Sequence, residues 1–203
     1  MGIQWIEYVR KDYKLTVFNK AAAWAGPVQK ALDEFNKLNL GVKLEFTTEE
    51  KKARIVVALA TGPDKIDFVD SHFEGSVPTK SSFDPKKFHG YCGTLRDPVT
   101  NVIVFAGIFL PGSVEATAEQ KMVVVLHEFM HACGLNGMMS DGKQHPNQDH
   151  DLEGIMAGQM VPSGKGLIEF MPKKGVKSMP PIRISGKTRG DARLLWAKPK
   201  KNP

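Results

Sequence analysis

The stretch VVVLHEFMHACGLNGMM, Val123 to Met139, decides how the whole chain is read. Met122 to Leu126 is an unbroken apolar run that leads into His127, Glu128 and His131. Thr117 stands three residues before Gln120, which is the spacing of a helix capping box, and Gly134 is the residue type that closes helices. A helix is therefore expected between them. On it, His127 and His131 are four residues apart and project from one face. Two imidazoles placed in this way can share a tetrahedral zinc ion. Glu128 is adjacent and just off the ligand direction. There it can take a proton from a water that the metal activates, without occupying the metal itself.

Working outward, Tyr13 to Phe18 alternates between apolar and polar residues and reads as a first strand. From Asn19 to Leu38 the pattern turns helical, with Val28, Ala31, Leu32 and Phe35 on one face. Asn19 is the candidate cap, and Pro27 marks either a kink or the true start of the helix. VKLEFT and ARIVVALA read as two more strands, the second apolar enough to be central. Lys65 to Lys87 is rich in Pro, Ser, Asp and Gly and reads as a long loop. HGYCGTL and NVIVFAG follow as strands joined by a turn at RDPVT. A last helix is expected from Thr188 to Trp196. Helices and strands are partly segregated along the chain, which favours α+β with a mixed sheet over a doubly wound fold. The division expected is an N-terminal part, 1–135, ending in the histidine helix, and an irregular C-terminal part, 136–203.

The chain of 203 residues is 41% apolar, enough for a real core. Its longest apolar runs are far shorter than a bilayer requires. The N-terminus, MGIQWIEYVRKDYK, has no apolar stretch of the kind a signal peptide carries. A cytoplasmic or virion-associated protein is the expectation, with secretion by a non-classical route left open. The net charge is +6, and the excess is partly local, in PKKGVK, SGKTRGDAR and KPKKNP of the last third. Such a bias suits acidic partners, nucleic acid included, but no nucleic-acid motif accompanies it, and a solvated basic surface is the plainer account. Cys92 and Cys133 are too few for a disulfide framework and are expected to be free thiols, Cys133 pointing away from the histidines into the core. His72 and His89 lie in or beside loops.

HEFMHACGL matches H-E-x-x-H-x-x-G, the start of the metzincin signature. Downstream, EGIMAG resembles the Met-turn of that group, which would set Met156 beneath the metal. The order of elements from Tyr13 to Gly158 is similar to that of matrixins in outline, although only the histidine helix and its turn match in sequence. The chain thus resembles a matrixin-like metzincin zinc metalloprotease, and its short helix followed by an inserted loop is similar to metzincin-like proteins predicted in phage genomes. The resemblance implies a twisted, mostly parallel sheet of about five strands with an antiparallel edge strand. It also implies two long helices and a smaller irregular C-terminal subdomain with a last helix. Zinc is the implied cofactor and a peptide or protein the implied substrate. The substrate would pair with Tyr91 to Leu95 by strand addition, and AGQMVPSG would wall an apolar pocket beyond the cut.

The metzincin pattern wants its third histidine three residues after Gly134, where this chain has Gly137. Two histidines follow, His145 and His150, and NGMMSDGKQHPNQD reads as an insertion that delays the ligand. His150 is six residues before Met156, similar to the short link of matrixins, and is the favoured third ligand. His145, eleven residues before it, remains the alternative. Asp149 and Asp151 flank His150 and can serve as a substitute ligand or as an acceptor orienting an imidazole.

The first functional reading is a zinc endopeptidase with Glu128 as general base. The alternatives are an inactive zinc-bearing component of a larger assembly, such as a virion, and a basic nucleic-acid-binding protein with a structural metal. Glu128 favours the first, since a structural zinc has no need of a base beside it.

Overall fold

In the computed structural model, which describes residues 2–86, 89–112, 115–135, 155–156 and 182–197, the alternating and apolar segments become strands of one sheet. A short helix α1 (Glu7–Arg10) is followed by β1 (Lys14–Asn19), α2 (Ala25–Lys37), β2 (Lys43–Phe46) and β3 (Ile55–Ala60). Next come β4 (Lys65–Val69), β5 (Glu74–Pro78), β6 (Tyr91–Arg96) and β7 (Ile103–Pro111). The chain then forms α3 (Ala118–Ala132) and, near the C-terminus, α4 (Gly186–Leu195). The sheet order is β2-β1-β3-β7-β6, parallel throughout except for β6, which runs antiparallel to β7 at the edge. The protein is therefore a mixed α/β chain built on a mostly parallel five-stranded sheet with an antiparallel edge strand.

Every residue of β7 is buried, because both faces of the sheet are covered. Ile55, Val57, Ile108 and Leu110 belong to the core shared with α2 and α3, where Phe35 meets Phe129 edge-on at 6.5 Å. Val56, Phe105 and Phe109 belong to a second core on the opposite face. That second core corrects the sequence reading. The segment expected to be a long loop from Lys65 instead forms an antiparallel hairpin, β4 with β5, packed over the sheet. Ile66, Phe68 and Val77 are its buried residues, and Phe68 stacks on Phe105 at 4.6 Å. The period-2 signal in KIDFV is real, but the abundance of Pro, Ser and Gly around it conceals it.

The carboxylate of Asp70 shapes the hairpin turn by accepting the backbone N–H groups of His72 and Phe73. Its second oxygen accepts from Arg54, the residue just before β3, and from Tyr8 of α1, both at 2.9 Å, so one partly buried acid ties the hairpin to the sheet and to α1.

The start of α2 also differs from expectation. Asn19 does not cap it; the side chain accepts the Ala21 N–H and opens a short 3-10 turn, Ala22–Trp24. Pro27 then falls in the first turn of α2, where its missing N–H has no intrahelical partner to lose. Among the described residues, no helix is long and apolar enough to cross a membrane.

Candidate metal centre

The capping box at the start of α3 is present: Thr117 Oγ1 accepts the Gln120 N–H and Gln120 Oε1 accepts the Thr117 N–H. At the other end Gly134 takes a φ of +106°, the left-handed turn that lets the chain reverse immediately after the helix. Between these limits the helix is buried on nearly every side, which is why it reads as apolar rather than amphipathic.

His127 and His131 are each 8% exposed, and their Nε2 atoms face each other at 3.1 Å. Each Nδ1 is held by a backbone carbonyl, Ile155 O at 2.7 Å for His127 and Leu135 O at 3.0 Å for His131. A carbonyl oxygen only accepts, so in the neutral rings each Nδ1 carries the proton and each Nε2 keeps its lone pair. With both rings in this form the two lone pairs face each other, an arrangement that a shared cation would satisfy. Two zinc–nitrogen bonds of about 2.0–2.1 Å at a tetrahedral angle would set the nitrogens about 3.4 Å apart. The pair is thus within a few tenths of an ångström of a two-histidine zinc clamp, with tautomers fixed as zinc ligands require.

The two carbonyls come from segments with different histories. Leu135 follows Gly134, so the left-handed turn itself carries the oxygen to His131. Ile155 lies in EGIMAG; its N–H donates to Arg183 O, and Met156 beside it is buried in the same core as α3. His145 and His150, the two candidates for a third ligand, lie outside the described residues, as do Asp149 and Asp151. So do the pocket segment after Met156 and the basic stretches PKKGVK and KPKKNP. Among the described residues, no group of three metal-binding side chains comes together.

Glu128 is 5% exposed and faces the start of β6. Burial pushes its carboxyl up to about 8, and the backbone N–H of Cys92, donating to it, offsets part of that rise. Cys133 lies in the core, where burial pushes its thiol up. His72 bonds Ser71 Oγ at the hairpin turn, and His89 sits edge-on to Phe83.

Three partners in the site escape sequence reasoning: the carbonyls of Ile155 and Leu135 and the N–H of Cys92. They are backbone atoms, which carry no residue-type signal. No model of a known family matches the chain, and no curated protein matches it.

Proposed function

We propose that this protein is a zinc-dependent endopeptidase of the matrixin-like metzincin type. The observation that carries the reading is the pair of Nε2 atoms 3.1 Å apart, each ring locked through Nδ1 onto a backbone carbonyl. The resemblance of HEFMHACGL and EGIMAG to the metzincin signature and Met-turn supports it. So does the contact between the two segments through His127 and Ile155. His127 and His131 would hold the metal with His150, or with His145 in its place.

Zinc, when bound, supplies a Lewis acid that polarises the scissile carbonyl and makes water acidic enough to be deprotonated near neutral pH. The residues of the chain do the rest. An extended peptide pairs with the antiparallel edge strand β6, which aligns its backbone above α3. The Glu128 carboxylate accepts a proton from the attacking water and delivers it to the leaving amide nitrogen, so that the C–N bond breaks into a carboxylic acid and an amine.

The test is digestion of casein or a peptide library with and without a chelator, alongside Glu128→Ala. Cleavage is expected to require metal, and Glu128→Ala should keep zinc while losing about 10²–10⁴-fold in rate. Undiminished cleavage by that variant would remove Glu128 from the mechanism. A parent protein that cuts nothing across a broad library would favour the assembly-component reading.

A further inference from the structure

We propose that Gly90 is the residue that positions Glu128: the space a side chain would take at position 90 is the space in which the Glu128 carboxyl rests. A Cβ built on Gly90 would lie 2.7 Å from Cγ, 2.9 Å from Oε1 and 3.0 Å from Cδ of Glu128. These contacts run along the acid rather than touching its tip, so a small rotation cannot relieve them. The backbone is anchored on the C-terminal side of Gly90. Gly90 leads directly into β6, whose first residue Tyr91 is paired in register with Phe109 of β7. Glu128 is fixed from the other side by α3, with Leu126, Phe129 and Met130 fully buried. With strand and helix both anchored, an added methyl displaces the one movable group, the carboxyl. On leaving its place, the carboxyl also loses the N–H of Cys92, two residues further on in β6.

The proposal rests on the reading of Glu128 as the general base, and it adds that the strand, not the helix alone, sets where that base stands. A rate that depends on a general base is sensitive to misplacement on the scale of an ångström, which costs about 10²-fold.

The experiment is a double-mutant cycle with two readouts. Gly90→Ala is made in the parent protein and in Glu128→Ala, and unfolding midpoints, zinc content and peptidase kinetics are measured. In the parent, Gly90→Ala is expected to lower the midpoint and to reduce kcat about 10–10²-fold, with KM and zinc content unchanged. In Glu128→Ala the same methyl enters the space vacated by the carboxyl, so it should leave the midpoint unchanged or raise it. If Gly90→Ala fails to fold in the parent but folds in Glu128→Ala, the contact is established by that difference. Equal midpoint changes in both backgrounds would overturn the proposal, because the methyl would then not meet Glu128. Coupled stability with an unchanged kcat would overturn it as well. A parent that cleaves nothing defeats the peptidase reading, while the stability cycle still decides whether position 90 places the carboxyl.

Discussion

The indole Nε1 of Trp5 donates to the carbonyl oxygen of Ala132 at 2.9 Å, joining residues 127 positions apart in the chain. Next to it, the Trp196 indole donates to Cys133 O at 3.0 Å and the Ile3 N–H to Gly134 O at 2.7 Å. Three successive carbonyls at the end of α3, left without partners by the helix, are taken up by both ends of the described chain. The turn that follows His131 is therefore fixed by long-range contacts.

Trp5→Phe retains the buried ring and removes the donor. It should leave Ala132 O unsatisfied in the core and cost about 1–3 kcal/mol. A urea titration reads this as a lower midpoint; an unchanged midpoint would show that the bond contributes nothing to stability.

Gly134→Ala should be more damaging. A Cβ there would meet Ile3 O at 2.2 Å, at a φ of +106° that side chains rarely adopt. The left-handed conformation alone costs about 1–2 kcal/mol, and the clash adds to it. Because the same turn carries Leu135 O to His131, zinc binding should weaken together with stability. A variant as stable as the parent, with full zinc affinity, would separate the turn from the site.

His127→Ala and His131→Ala are each expected to abolish stoichiometric zinc, as measured by metal analysis of the purified protein. We expect His150→Ala to weaken binding severely and His145→Ala to leave it nearly unchanged. The shorter link from His150 to Met156 leaves less chain to order when the ligand closes on the metal. The reverse result would move the third ligand to His145 and leave the two-histidine clamp intact.

The cluster around Asp70 gives the protein an acid-labile component of stability. Burial pushes this carboxyl up, but the Arg54 guanidinium, the N–H groups of His72 and Phe73 and the Tyr8 hydroxyl outweigh burial and hold it at about 2 instead of the ordinary 3.8. The folded state thus favours the ionised form. Its contribution, about 2 kcal/mol, is complete above the unfolded value and lost as pH falls through the folded one. The side chains of Arg54 and Asp70 are 22% and 13% exposed, so screening trims this only modestly. Asp70→Asn should flatten the dependence of the unfolding free energy on pH between about 4 and 2. A slope identical to that of the parent would show that the cluster is not its source.

The sequence by itself determined the elements whose signals are local. The capping residues Thr117 and Gln120, the stop at Gly134 and the four-residue spacing of His127 and His131 depend only on helix geometry, and α3 has them where the residues require. The alternation in β1 and the apolar runs of β3 and β7 likewise report burial residue by residue. Tertiary structure decided what depends on backbone atoms and distant partners. The hairpin β4–β5 forms because Ile66, Phe68 and Val77 find Phe105 and Phe109 across the sheet, a gain that no window of KIDFV contains. The carbonyls of Ile155 and Leu135 that set the imidazole tautomers are anonymous in sequence, since every residue has one. Gly90 is visible as a glycine, but its purpose is not, because the carboxyl it accommodates lies 38 positions away and only the packing of β6 against α3 brings the two together.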